Sequence, residues 1–166
     1  MPVFTRPDAE IYYEVHGSGH PLLLFAPGGL RSQLEFWRHS PANPDVAAAW
    51  MNPMVDLAGR FTVVGMDQRN AGKSRGTVTA ADGWDTYAGD HLALMDHLGH
   101  RRFHVMGGCI GGSFCLKACE MARMLGRSAS TIGREMRCNM WPSAYLYTYD
   151  WAMYFVRQRK RRVNST

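Results

Sequence analysis

The chain has 166 residues, a formal net charge of +5 at pH 7 and a pI of about 9.2. The charge is uneven, because residues 1–120 carry 10 basic and 12 acidic side chains whereas residues 121–166 carry 9 and 2. The basic pI is thus the average of a slightly acidic segment and a strongly basic one. By itself it does not indicate a nucleic-acid-binding protein.

Three segments before residue 70 have the patterns of β-strands. Residues 10–16 alternate in polarity and precede a Gly-Ser-Gly turn, which predicts a strand and its turn. Residues 21–25 form a short, continuously apolar run, as expected for a strand that is covered on both faces. Residues 61–66 are β-branched and apolar, which predicts a further strand.

A polar turn follows the third of these strands. Residues 67–74 read DQRNAGKS. We expect Asn70 to have a left-handed backbone, which asparagine tolerates better than most residues. Asp67 and Arg69 are interpreted as turn-forming and packing residues rather than as catalytic groups.

The next segment predicts a helix. Apolar side chains recur at spacings of three to five from Trp84 to Leu98, so this stretch is predicted to be an amphipathic helix. Asp82 or Asp85 can cap its start and Gly99 can end it. Residues 103–106 then predict a strand, and residues 112–120 predict the helix behind it.

The segment between these last two elements carries the most chemical information. Residues 105–113, VMGGCIGGS, pass from an apolar strand through a Gly-rich turn into a helix, with Cys109 at the apex. This is the pattern of a nucleophile elbow, in which side chains at Gly107 and Gly111 would collide with the neighbouring strand and helix. The backbone N–H of Ile110 is expected to face the place where an oxyanion forms. The N-terminal dipole of the helix favours the thiolate form of Cys109.

With these surroundings, the chain resembles the N-terminal half of the α/β-hydrolase family over most of residues 1–120. Residues 26–30, APGGL, are similar to the family's oxyanion loop, and residues 67–74 are similar to its D-x-R-G-x-G-x-S turn. The resemblance implies an α/β fold with a doubly wound parallel sheet, in which ligands lie at the carboxyl ends of the strands. It also implies that the N–H of Gly29 is the second oxyanion donor beside that of Ile110.

The resemblance further implies a reaction class. Dienelactone hydrolases are members with cysteine at this position, and acyltransferases share the fold. We therefore expect Cys109 to be the nucleophile of a hydrolase that acts on small esters, thioesters or lactones, with an acid-oriented histidine as proton shuttle. The resemblance implies a small-molecule acyl substrate, no cofactor and no metal.

The general base is missing from its expected place. In the family's chain order the acid and then the histidine follow the nucleophile. The seven histidines all precede Cys109, and they are His16, His20, His39, His91, His97, His100 and His104. We expect the last four to lie at the surface or beside the helix, since their spacing does not bring them to one helical face.

The length of the chain leads to the same expectation. Residues 121–166 are too few for the family's remaining strands, because one strand–helix–strand unit takes about 30 residues or more. We expect a truncated sheet in a chain that is incomplete and inactive as it stands. The alternative from another class is a non-catalytic remnant or an interaction module.

Residues 121–166 form a basic, aromatic-rich tail, and we predict the end of the hydrolase-like domain at residue 120. Our preferred interpretation is an accidental sequence after a break in the reading frame near residues 121–126. One alternative is a membrane-interface anchor at residues 141–156, which is shorter than the ~20 apolar residues that a span requires. Another is nucleic-acid binding, for which no module is recognisable. We expect no membrane span and no nucleic-acid partner.

The compartment and the other cysteines have ordinary interpretations. The N-terminus lacks the apolar core of a signal peptide, so a cytoplasmic location with reduced cysteines is the default expectation. Cys115 and Cys119 are four residues apart on the predicted helix and match no zinc pattern. They are interpreted as buried structural residues.

Self-association is the testable consequence of a truncated sheet. A sheet that ends after the elbow helix leaves one strand edge unpaired, and such an edge can pair with another chain. We predict oligomers or aggregates in size-exclusion chromatography and a thermal melt of poor cooperativity. A sharp two-state melt of a soluble monomer at neutral pH would contradict this, and would indicate that residues 121–166 complete the core.

Overall fold

The computed structural model describes residues 2–40, 43–48 and 51–124, so residues 125–166 of the predicted tail lie outside the described part. The described strands and helices, in chain order, are β1 (Val3–Arg6), β2 (Ala9–His16), β3 (His20–Phe25), β4 (His39–Ser40), β5 (Asn43–Ala47), α1 (Pro53–Asp56), β6 (Phe61–Met66), β7 (Arg75–Gly76), α2 (Trp84–His97), β8 (His104–Gly107) and α3 (Gly111–Met124). Two short 3-10 helices, Gly29–Arg31 and Leu34–Trp37, lie between β3 and β4.

The main sheet has the strand order β1-β2-β6-β3-β8, with β7 paired to β2. β3 is parallel to β6 and to β8, whereas β2 is antiparallel to β6, β1 and β7. The predicted α/β fold is confirmed, although the sheet is mixed rather than wholly parallel. The reason is the short turn between β2 and β3, where Gly17 and Gly19 have φ values of 76° and 128° and the chain reverses its direction.

β3 is buried on both of its faces, as its unbroken apolar sequence predicts. Leu23 and Phe25 belong to the core beneath α2 and α3, while Leu22 and Leu24 belong to the core on the other face. Successive side chains of a strand point to opposite faces, so a strand between two covered faces needs apolar residues at every position.

The helix α2 begins at Trp84, as the apolar spacing predicts, but its capping residue differs from the prediction. Its N-cap is Gly83, whose N–H donates to the Thr86 hydroxyl at 3.4 Å, so neither Asp82 nor Asp85 caps the helix. Asp82 instead accepts hydrogen bonds from the N–H and hydroxyl of Thr79. The predicted end is confirmed, since Gly99 follows the helix with a φ of 75°.

The turn after β6 is held by buried charges. Arg69 is 2% exposed and Asp90 is fully buried, and the guanidinium donates two hydrogen bonds of 3.0 Å to the Asp90 carboxylate. A third donor of Arg69 reaches Asp8 at 2.6 Å, and Arg6 also binds Asp90. These carboxylates raise the pKa of Arg69, which stays charged. The interpretation of Arg69 as a packing residue is confirmed.

His91 is buried, so the expectation of a surface position was wrong. It is 3% exposed, and its ring stacks on Phe25 with 4.1 Å between centroids. Its Nδ1 lies 2.9 Å from the carbonyl oxygen of Tyr87. The spacing of the histidines from one another says nothing about which face of α2 meets the sheet, and His91 lies on that face. Burial lowers its pKa to about 4.

The C-terminal end of the described part is helical beyond the predicted boundary. The helix α3 continues past residue 120 to Met124. Within the described residues, β8 pairs with β3 alone. Pairing of its other edge with a second chain stays a prediction.

The buried His91 should make stability depend on pH. The folded pKa of about 4 lies below the ordinary value of 6.5, so between these values the unfolded chain binds a proton that the folded chain does not. The free energy of unfolding should therefore fall as the pH falls through this window, by up to about 1.4 kcal/mol per pH unit. Denaturant melts at several pH values should show that His91→Phe removes this part of the dependence.

The exposed His97 on the same helix provides the control. His97→Phe should leave the pH dependence as it is. An unchanged pH dependence in His91→Phe would contradict the assignment.

Candidate active site

The elbow is a tight turn between β8 and α3. Cys109 has a φ of 55°, a left-handed conformation that costs a non-glycine residue about 1–2 kcal/mol. Backbone hydrogen bonds fix the turn, because the N–H of Gly111 donates to the carbonyl of Gly108 at 2.9 Å and that of Gly112 to Cys109 at 3.1 Å. The N–H of Gly108 donates to the carbonyl of Phe25, at the end of β3, at 3.1 Å.

Glycine is needed on both sides of Cys109 because other backbone atoms occupy the space of a side chain. A Cβ at Gly107 would lie against the backbone of Gly111 and at 2.6 Å from the nitrogen of Gly112. A Cβ at Gly111 would lie against the carbonyl oxygen of Phe25. The predicted collisions with the neighbouring helix and strand are thus present.

The three described cysteines differ in exposure. Cys109 is exposed at the apex of the elbow, whereas Cys115 and Cys119 are buried on α3. Burial raises the pKa of the Cys115 thiol well above its ordinary value. Cys138 lies outside the described residues. Within the described part, no three histidine, cysteine or acidic side chains cluster in a way that could hold a metal ion.

The predicted oxyanion loop lies at the same edge of the sheet as the elbow. Phe25 pairs with Gly107 across β3 and β8, so the two following loops leave the sheet side by side. Gly28 and Gly29 both have positive φ values, of 120° and 69°. Among the described residues, neither the N–H of Gly29 nor that of Ile110 donates a hydrogen bond. Two unused donors at this edge are what an oxyanion would require, and their role as donors stays a prediction.

The described histidines do not complete the site. None of the hydrogen bonds, ion pairs or ring contacts that they make within the described residues involves Cys109. The rings of His20 and His104 contact each other at a tilt of 53°, with 4.6 Å between centroids, at the opposite, amino end of the parallel strands. Their geometry provides no general base for the elbow.

Two residues that belong to no recognisable sequence motif support this edge of the sheet. Trp37 is 3% exposed, and its ring lies 2.8 Å from the point that a Cβ of Gly108 would occupy. Ser32 is 4% exposed and its hydroxyl donates to the carbonyl of Gly29 at 2.7 Å. The sequence does not indicate which residues a loop tryptophan or serine will contact. The contacts of Trp37 with Gly108 and of Ser32 with Gly29 are therefore identified only by the fold.

The exposure of Cys109 gives a labelling prediction. Iodoacetamide should alkylate Cys109 faster than Cys115 and Cys119, measured by peptide mass mapping of the native protein. Gly111→Ala should remove this preference and destabilise the fold, since the new methyl group would meet the Phe25 carbonyl. Gly59→Ala is the matched control, because its Cβ would meet open space. Equal labelling of all cysteines in the native protein would show that the elbow is not formed.

Comparison with known proteins agrees with this geometry. The chain matches the model of the alpha/beta hydrolase fold family over residues 21–160. It is 33% identical over 129 residues to the protein named "Putative carbamate hydrolase RutD" of Azorhizobium caulinodans, a match that covers 75% of this chain and 43% of that protein. It is 34% identical over 103 residues to the soluble epoxide hydrolase of a Corynebacterium species, covering 62% of this chain and 30% of that enzyme.

A solved structure shows the same fold. A carboxylesterase of Nitrososphaera gargenis superposes with a TM-score of 0.58 over 76% of this chain and 42% of that one, at 21% identity. Within the described part, no helix has the length and apolar character to cross a membrane.

The matches cover most of this chain but only part of each relative. It spans less than half the length of each of these relatives. The family match passes beyond residue 120, and the domain boundary predicted there stays a prediction. Because the family model matches well over half of its length, this chain belongs to the α/β-hydrolase fold family.

Proposed function

We propose that Cys109 is the nucleophile of an acyl hydrolase that acts on small esters, thioesters, lactones or carbamates. The observation that carries this proposal is the position of Cys109, an exposed thiol at a φ of 55° on a turn closed by Gly107 and Gly111. Such a turn presents a nucleophile beyond the end of its strand, next to the backbone N–H groups that begin the helix.

The proposed reaction begins with attack of the Cys109 thiolate on the substrate carbonyl carbon. The carbonyl electrons move to oxygen, and the N–H groups of Gly29 and Ile110 donate hydrogen bonds to the resulting oxyanion. Collapse of this intermediate re-forms the carbonyl and breaks its bond to the alcohol, thiol or amine portion, which takes up a proton from water. The acyl group stays on Cys109 as a thioester, or as a thiocarbamate or thiocarbonate when the substrate is a carbamate. Water must then attack that thioester, and this step needs a general base.

No residue is assigned as the general base that activates this water. All seven histidines of the chain precede Cys109, and His91 is buried beneath Phe25 with its pKa lowered to about 4. The hydrogen bonds, ion pairs and ring contacts of the described histidines do not include Cys109. We therefore propose that the 166-residue chain becomes acylated and deacylates slowly.

The identity of the nucleophile favours acyl chemistry over epoxide opening. A thiolate that opens an epoxide forms a C–S bond to a saturated carbon while the C–O bond breaks and the alkoxide takes a proton. The product is a thioether, which has no carbonyl for water to attack. An epoxide would thus label Cys109 permanently, even though one relative is a soluble epoxide hydrolase.

A non-catalytic remnant or interaction module is the second candidate, and it is favoured by the described histidines, whose hydrogen bonds, ion pairs and ring contacts do not include Cys109. Acyl transfer is the variant of the main proposal in which an acceptor other than water takes the acyl group. We also propose a cytoplasmic location for the protein and self-association of two chains through a sheet edge.

A burst experiment tests the proposed function. p-Nitrophenyl acetate should release p-nitrophenolate in a single burst of up to one equivalent per chain, and peptide mapping should find the acetyl group on Cys109. Cys109→Ala should abolish the burst. Cys119→Ala, which removes a buried thiol, should leave it unchanged.

Two outcomes would contradict the proposal. Absence of Cys109 acylation in folded protein would favour the non-catalytic alternative. Sustained turnover that depends on Cys109 would refute slow deacylation and would require a base among the residues of this chain. A simple epoxide such as styrene oxide should alkylate Cys109 without turnover, and catalytic hydrolysis of it would contradict the preference for acyl chemistry.

A further inference from the structure

The proposed oxyanion loop is built on two consecutive glycines, whose backbone has no side chain to hold it in place. Gly28 and Gly29 have φ values of 120° and 69°, and a Cβ at Gly29 would meet nothing within 4 Å. Glycine populates many backbone conformations, so steric contact does not set the direction of the Gly29 N–H. Hydrogen bonds to the two peptide planes on either side of its Cα must do so.

Both of these peptide planes are anchored. The first contains the carbonyl of Gly28 and the N–H of Gly29, and its carbonyl accepts a hydrogen bond from the N–H of Arg31 at 3.2 Å. Because the peptide group is planar, holding the carbonyl also holds the N–H on the opposite side. The second plane starts at the carbonyl of Gly29, which accepts the shorter bond of 2.7 Å from the Ser32 hydroxyl.

Ser32 is itself fixed to the sheet. It is 4% exposed, and its carbonyl accepts a hydrogen bond from the N–H of Gln68 at 2.9 Å. Two residues farther along, the N–H of Leu34 donates to the Asp67 carboxylate at 2.8 Å. Asp67 and Gln68 directly follow β6, so the backbone of Ser32, which carries the hydroxyl, is held by the end of a buried strand rather than by the loop alone.

We propose that Ser32 is a positioning residue that orients the Gly29 N–H toward the oxyanion. The proposal rests on the proposed function, since it requires a reaction in which an oxyanion forms. Without the hydroxyl, the Gly29–Leu30 peptide loses its side-chain anchor, and the Gly29 N–H spends less time directed at the developing charge. Ser32 itself is not assigned a contact with the substrate.

Two reagents that react with the same thiol separate positioning from general damage. With p-nitrophenyl acetate, Cys109 attacks a carbonyl carbon, an oxyanion forms and p-nitrophenolate leaves. With iodoacetamide, Cys109 displaces iodide from a saturated carbon and no oxyanion forms. The rates at Cys109 are followed by peptide mass mapping for both reagents.

We expect the Ser32 hydroxyl to affect the acylation of Cys109 but not its alkylation. Ser32→Ala should lower the rate of Cys109 acylation by roughly 10-fold to 100-fold while changing the alkylation rate by less than about twofold. Ser32→Thr, which keeps a hydroxyl, should restore most of the acylation rate. Ser18→Ala, in the exposed turn before β3, should change neither rate.

Other outcomes overturn the proposal. An unchanged acylation rate in Ser32→Ala, or an equal fall in both rates, would show that Ser32 has no role or only a structural one. If Ser32→Ala does not fold, Ser32→Cys is measured instead, because a thiol is similar in size and only a weak donor. Unmodified protein that is alkylated but not acylated at Cys109 would refute the proposed function first, and with it the role of Ser32.

Discussion

The close approach of Gly111 to the carbonyl oxygen of Phe25 is the constraint on which the candidate site depends. A side chain at Gly111 would collide with that oxygen, and one at Gly107 would collide with the first turn of α3. Since these backbones touch, the start of α3 lies directly against the end of β3. The elbow and the loop after β3 are therefore held together by backbone contacts, including the 3.1 Å bond from Gly108 to Phe25. Such contacts tolerate no larger residue at either glycine.

The turn after β6 gives the same edge of the sheet its second support. The carboxylate of Asp67 accepts hydrogen bonds from the N–H groups of Leu34 and Lys73, both at 2.8 Å, so it joins the loop after β3 to its own turn. A few residues on, Arg69 is neutralised by the fully buried Asp90 of α2. Burying an ion pair costs the desolvation free energy of both charges, so the pair adds little net stability. Removing one partner, however, leaves the other charge buried without a counter-ion. The pair therefore matters here chiefly for fixing the turn that holds the loop.

Features that depend on adjacent residues are predictable from this sequence, whereas features that depend on packing are not. The left-handed backbone at Asn70 and the tight elbow at Cys109 follow from local preferences, and the structure contains both. The burial of His91 could not be inferred, because the fold decides which face of α2 stacks on Phe25. The antiparallel direction of β2 follows from the Gly-Ser-Gly turn that the sequence predicts. The expectation of a parallel sheet was too broad because it came from the rule for strands that alternate with helices, and no helix separates β2 from β3. The hydrogen bond from Ser32 to the carbonyl of Gly29 could not be predicted from the sequence either, since a loop serine has many possible partners.

The backbone of a nucleophile elbow does not determine which reaction takes place there. Relatives named for carbamate and epoxide hydrolysis can therefore resemble the same chain. The fold places the apex side chain beyond the end of its strand, near N–H groups that donate no hydrogen bond among the described residues. In the proposed reaction, that side chain decides which products can be released. A carboxylate that opens an epoxide forms an ester, which water can cleave, but a thiolate forms a thioether, which it cannot. Under the proposed role of Cys109 as nucleophile, only substrates that leave a carbonyl attached to sulfur can be released again. The proposed substrate class thus follows from one side chain more than from the fold around it.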